Sequence, residues 1–341
     1  MARVIRQVTV VRDGMHNAFT DLAWWQCQYW VSYRKGSEHA SMDGEATVAC
    51  SVDRTRFREV ARVKVPGDCR DPKLIESHDG RLALCFPSWV QGHQARKLQQ
   101  YICFSDDGFS WSTPQPILAS EQWLWRVRRH EGLWYGLVEG IGEAKGPGAL
   151  YLELITSTDL LHWESVTRIG RPEDNLNEAD ICFQPDGEAW IVARGSRRPH
   201  DYAYFASARA PYRDWTLTDL TAMVHCPCIL HHQGEWYVAG RSNPRLEGDA
   251  TFPYLSSQSL GIWRLRRGTV EPVLRIPAAG DCAYPGFIHD GDGRLCMSYY
   301  SQHAYELGIV PKPYRTIDQQ PHRTAELMSP DDVYFAELEL P

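Results

Sequence analysis

The sequence predicts an all-β protein, a single six-bladed β-propeller with four antiparallel strands per blade, and two recurring signals predict it. The first is the phrase Ser105-Asp-Asp-Gly-Phe-Ser-Trp111: a serine, an acid two positions on, and an aromatic four positions after that. It returns as Ser51 with Asp53 and Phe57, as Ser157 with Asp159 and Trp163, and more faintly as Ser207 with Trp215 and Ser259 with Trp263. Successive copies begin 54, 52, 50 and 52 residues apart. The second signal is a polar-Gly turn between apolar runs, at Asp79-Gly80, Glu131-Gly132, Asp186-Gly187, Gln233-Gly234 and Asp292-Gly293. A period near 50 filled with short strands marks a propeller. A chain of 341 residues holds about six such units.

The elements follow in order. Blade 1 lacks the Gly turn but keeps a strand pair from Asp21 to Arg34. In blade 2, Arg70–Glu76 reads as the inner strand, Asp79-Gly80 as the hairpin, and Arg81–Phe86 as the second strand. Lys97–Phe104 then reads as the third strand, and the Ser105 phrase turns into a fourth near Pro114–Leu118. Asp-Gly between apolar runs is a strong hairpin signal because both residues tolerate positive φ. The repeated phrase is therefore structural: Asp107 and Gly108 make a turn, and Trp111 packs under the blade. The alternating tail Asp332–Leu340 is expected as an outer strand of the last blade, with the N-terminal strand helping to close the ring. The stretch Ala304–Pro330, rich in Pro, His and Gln, is expected as a long loop or flap.

Bulk properties narrow the function. The net charge is −7 with 36 scattered basic residues, which argues against a nucleic-acid partner. No apolar run reaches the length of a membrane span. The N-terminus reads as a strand rather than a signal peptide, and most of the ten cysteines sit in apolar strand text. Both observations lead us to expect a cytoplasmic protein without disulfides. The cluster His225-Cys226-Pro-Cys228-Ile-Leu-His231-His232 fits no ordinary zinc spacing, because alternate residues of a strand face opposite ways. Nothing in the sequence demands a metal or an organic cofactor.

The candidate site lies where the inner strands begin. Those starts carry Phe19-Thr-Asp21, Arg70-Asp71, Trp125-Arg126, Asn177-Glu178 and Gly280-Asp281 with Tyr284. Asp71, Glu178 and Tyr284 each fall nine residues before the glycine of their own turn, so they share one height on the ring. Buried carboxylates and arginines are costly unless they pair or hold a polar ligand, so a charged rim implies a pocket. Second strands run back to that rim and bring Arg194, Arg241, Ser301 and His303, while Arg34, Glu38, His39 and Asp43 follow the first hairpin.

With these residues the chain resembles the sialidase superfamily of six-bladed propellers. The Ser105 phrase is similar to that family's repeated Asp-box. Asn177-Glu178-Ala with Ala193-Arg194 resembles its blade-four segment, and Ala283-Tyr284 stands where its tyrosine nucleophile is expected. The resemblance implies a glycosidase acting on a carbohydrate with a terminal acidic sugar. It implies that Tyr284 attacks, that Glu178 takes its proton and that His39 or Asp43 donates one. Arg194, Arg241 and either Arg126 or Arg70 would then grip a carboxylate. The chain departs from the family at Phe19-Thr20-Asp21, where sialidases carry an Arg-Ile-Pro phrase. Read from the residues alone, three further schemes stand beside this one. Asp21, Asp71 and Glu178 can form an inverting carboxylate set. His39 or Tyr284 can abstract the proton of a uronate in a lyase. The rim can also serve a lectin-like binding ring.

Overall fold

The computed structural model describes residues 2–90, 97–141, 150–196, 202–243, 258–311 and 330–341. Within them the chain forms six antiparallel sheets arranged as the blades of a ring. Blade 1 comprises His16–Trp25, Gln28–Gly36, Glu45–Ser51 and Arg58–Val63. Blade 2 has an inner strand in two pieces, Asp68–Cys69 and Lys73–Glu76, followed by Leu82–Val90, Lys97–Ser105 and the short Gln115–Pro116. Blades 3, 4 and 5 begin at Gln122–His130, Leu176–Phe183 and His225–His232. The second strands that pair with them, Leu133–Ile141, Ala189–Gly195 and Glu235–Ser242, are apolar through most of their length. That pattern suits a strand with other strands on both sides.

Blade 6 closes the ring and corrects one expectation. Its sheet order runs Cys282–His289, Leu295–Ser301, Asp332–Glu339 and then Arg3–Val11. The C-terminal tail is thus the third strand, and the N-terminal strand is the outermost one. An alternating apolar pattern reads the same in either place. Pairing the two ends of the chain in one sheet leaves no open blade. Of the stretch expected as a loop, residues 312–329 lie outside the described residues, and the part before them opens with a short helix, His303–Glu306. No described helix is long and apolar enough to cross a membrane. All ten cysteines are free thiols, nine of them buried.

The Ser-Asp turns are self-contained hydrogen-bond units. Ser105 Oγ accepts from Gly108 N at 2.7 Å, and Asp107 Oδ1 accepts from Phe109 N at 2.8 Å and Ser110 N at 2.7 Å. Ser51 with Asp53 and Ser157 with Asp159 repeat the arrangement. The eye-catching acids are thereby consumed by their own backbone. Trp111, Trp163 and Trp215 each donate Nε1 to the carbonyl three residues back, at 3.2, 3.0 and 2.9 Å. The Ser259 copy is different: Ser259 and Trp263 both lie within the strand Ser259–Arg266, so the likeness there is chance spacing. Gly108 also ties neighbouring blades together. It has φ +78°, and a Cβ there would come within 2.1 Å of the Trp30 ring of blade 1. Gly108→Ala should therefore cost a few kcal/mol in urea unfolding, from the left-handed backbone and overpacking together.

Candidate functional site

Five of the six inner strands slip register near their beginning. The breaks fall between Ala18 and Asp21, Leu124 and Val127, Asn177 and Ala179, His225 and Cys228, and Ala283 and Gly286. The sixth, in blade 2, is interrupted at the same height between its two pieces. At these breaks, residues without glycine's freedom adopt left-handed backbone: Phe19 (φ 59°), Asp71 (40°), Glu178 (28°), Cys226 (45°) and Tyr284 (44°). Such conformations cost about 1–3 kcal/mol each and persist where the surrounding structure enforces them. The result is a ring of strained residues at one height. Three of them are the residues whose equal phase the sequence shows.

Glu178 and Tyr284 meet directly. Tyr284 Oη donates to Glu178 Oε1 at 2.8 Å, and Arg194 Nη1 donates to the same oxygen at 3.0 Å. Glu178 Oε2 accepts the backbone N–H of Cys226 at 2.9 Å. Burial pushes the Glu178 carboxyl upward, but Arg194, then His225 and Arg241, outweigh it and hold it down at about 2. Burial pushes the Tyr284 phenol well above its ordinary value, and the charges of Glu178 and Asp71 push it further. At neutral pH the pair is therefore a carboxylate facing an intact phenol. Lys73 Nζ and Arg241 Cζ stand 5.7 and 5.8 Å from the centre of the Tyr284 ring. A small recess of about 10 Å³ adjoins the pair, lined by Lys73, Trp125, Arg126, Glu178, Cys226 and Tyr284.

Asp71 is almost fully buried, and its Oδ1 has no hydrogen-bond partner among the described residues. Burial pushes its carboxyl up to about 6, with Lys73 and Arg70 opposing and Glu178 reinforcing the rise. It thus differs from Glu178, although both occupy equivalent backbone positions. One carboxyl is held ionised and the other is poised near neutrality, the division of labour that acid–base pairs need.

Beside this pair lies a polar group centred on Asp281. Its Oδ1 accepts from Tyr300 Oη at 2.8 Å and from Arg241 Nη2 at 3.3 Å, and its Oδ2 contacts His39 Nδ1. Arg241 Nε also donates to Cys282 O at 2.8 Å. Arg70 donates Nη1 to His39 O at 2.6 Å and to Asp68 at 2.9 Å, and its Nη2 stands 3.4 Å from His39 Nε2. A guanidinium carries only donors, so Arg70 turns a donor toward His39 Nε2.

Other residues of the sequence analysis stand apart. Asp21 faces the axial cavity, where its carboxylate accepts from Arg126 Nη1 at 2.9 Å and from Leu74 N at 3.0 Å. Arg126 is further committed to Pro227 O at 3.1 Å. Asp43 is exposed, and its two oxygens accept from Ser37 N at 3.2 Å, which closes its own loop. His303 is buried against the Tyr334 ring, with Nδ1 3.1 Å from Ser301 Oγ. Two site residues were not assigned to the site from sequence. Lys73 sits in the quoted inner strand of blade 2, and a buried lysine there was the available signal. Cys226, whose Sγ accepts from Tyr284 N at 3.3 Å, carries none beyond its place in an inner strand.

The sequence matches no family model and no curated protein. Its fold does match solved structures. A protein of unknown function from Dyadobacter fermentans, 16% identical, gives a TM-score of 0.78 over 100% of this chain and 99% of that one. The α-L-arabinanase of Penicillium chrysogenum, 12% identical, gives 0.65 over 100% and 98%. Trypanosoma rangeli sialidase, 11% identical, gives 0.64 over 98% of this chain and 58% of its own, so this chain spans little more than half its length. At these identities the likeness is one of fold: the chain is a six-bladed propeller built like that sialidase and that arabinanase.

Proposed function

We propose that the protein is a glycoside hydrolase that releases a terminal, anionic sugar, with Tyr284 as nucleophile, Glu178 as its base and Asp71 as proton donor. The observation that carries the reading is the 2.8 Å hydrogen bond from Tyr284 Oη to Glu178 Oε1. A buried phenol is a weak nucleophile until a base takes its proton. Glu178 is ionised and in contact, so the proton moves to it as Oη bonds to the anomeric carbon. Asp71, protonated below about pH 6, gives its proton to the departing glycosidic oxygen. Water then attacks the anomeric carbon, Asp71 takes the proton of that water, and Glu178 returns its own to Tyr284 as the Oη–carbon bond breaks. Lys73 and Arg241 flanking the Tyr284 ring support an anionic substrate, since a neutral phenol nucleophile avoids the repulsion that a carboxylate would meet. The fold shared with a sialidase supports a sugar ligand.

A panel of aryl glycosides and uronate-containing oligosaccharides tests the reading. Release of the aryl group from an anionic glycoside is expected, and Glu178→Gln should lower kcat on the order of 10²–10⁴-fold. Accumulation of an ultraviolet-absorbing unsaturated uronate would replace hydrolysis by a lyase. Binding of sugars without turnover by the unmodified protein would leave a lectin-like ring.

A further inference from the structure

A second cluster lies beside the pocket, where blade 1 meets blade 6, and the hydrolysis proposed above does not use it. His16 opens the inner strand of blade 1 and is fully buried. Its Nε2 stands 2.8 Å from Asp331 Oδ2 and 3.2 Å from Asp281 Oδ2, yet neither ring nitrogen makes a hydrogen bond of proper geometry among the described residues. His39 brings Nδ1 to the same Asp281 oxygen from the loop after the second strand. The ligating atoms of His16, His39 and Asp281 all lie within 4.8 Å of one another. Tyr300 and Arg241 hold the opposite oxygen of Asp281, which aims Oδ2 at the two imidazoles. Asp331 is fixed by its backbone, whose N–H donates to Met15 O at 3.0 Å and whose carbonyl accepts from Asn17 N at 3.3 Å.

Two carboxylates buried side by side are costly unless a cation lies between them. Donor atoms around a tetrahedral zinc, bonded at about 2.0–2.2 Å, stand about 3.3–3.6 Å apart. His16 Nε2 and Asp281 Oδ2, at 3.2 Å, are near that spacing, and His39 Nδ1 would draw back from Asp281 Oδ2 to admit the ion. Imidazole with carboxylate suits zinc-class ions, whereas calcium and magnesium take oxygen donors. We propose that His16, His39 and Asp281 form a structural site for a divalent transition metal of the zinc class, clasping blade 1 to blade 6, with Asp331 beside His16 completing its wall. Tyr300 and Arg241 serve as its outer shell, orienting Asp281. The Phe19 ring, edge-on to His39 at 5.3 Å and to Tyr284 at 5.0 Å, lies between the site and the hydrolytic pair. The two proposals therefore stand or fall separately.

The competing arrangement is a protonated His16 shared by the two carboxylates, which binds no metal. The test uses the full chain, stripped with a chelator and titrated with Zn²⁺ and with Co²⁺. The expected results are one equivalent bound, a higher Tm, and visible Co²⁺ bands of tetrahedral intensity. His39 is partly exposed, so His39→Ala should keep the fold while weakening Zn²⁺ binding by more than the roughly 10–100-fold of an outer-shell change. Asp281→Asn provides a second ligand variant. Absence of the Co²⁺ bands and of a Tm shift in the unmodified protein would overturn the proposal, as would equal binding by the unmodified chain and a folded ligand variant.

Discussion

Tyr284→Phe will keep the propeller intact and lose turnover on the order of 10⁴-fold or more, as removal of a nucleophile does in other covalent mechanisms. The phenyl ring remains, edge-on to Phe19 at a ring distance of 5.0 Å and tilted against Trp125 at 6.5 Å. Glu178 keeps Arg194 and the Cys226 N–H as partners, so no buried carboxylate is orphaned. The loss in stability should thus stay near the roughly 1.5–3 kcal/mol of one hydrogen bond to a charged group. Measuring kcat together with urea unfolding separates the two roles. A variant that loses stability yet stays within tenfold of the original kcat would make Tyr284 a structural partner of Glu178. A fluorinated glycosyl donor with a good leaving group provides an independent check, since it should leave a sugar on the peptide containing Tyr284.

Much of this arrangement was legible in the sequence because the blade repeat is a local code. Ser105, Asp107 and Gly108 close their turn with their own backbone, so each copy reads the same wherever it falls. Equal distances to the turn glycines then sufficed to set Asp71, Glu178 and Tyr284 at one height. The breaks that turn those side chains inward were not legible. Glutamate, cysteine and tyrosine carry no mark of left-handed backbone, and at Asp71 aspartate's tolerance of it is no position-specific signal; only the assembled ring enforces the breaks. Long-range pairings were hidden for a different reason. His16 and Asp331 meet because the first and last strands share a blade, and no periodicity links residues so far apart. Ser259 shows the converse failure: spacing alone imitated a turn where an uninterrupted strand runs.

Asp71→Asn should make the protein more stable at neutral and alkaline pH while removing the proton donor. The folded-state carboxyl stands at about 6 against an ordinary value of 3.8. An acid raised by folding contributes stability that is complete below its unfolded value and is lost as pH climbs through its folded one. Two pKa units correspond to about 3 kcal/mol, so the original chain should weaken by roughly that amount between pH 4 and pH 7. The neutral amide of the variant would carry no such dependence, and at pH 8 the variant should be the more stable protein by up to about 3 kcal/mol. Activity moves the other way. The donor must be protonated, so kcat/KM of the original chain should fall as pH rises past about 6, and that descending limb should vanish in the variant along with about 10²–10⁴-fold of the rate. Urea unfolding at pH 5 and pH 8, set beside the two pH–rate profiles, decides the matter. A descending limb that survives in Asp71→Asn would move the proton donor to another residue. A variant less stable than the original at pH 8 would mean that Lys73 and Arg70 need the Asp71 charge more than burial opposes it.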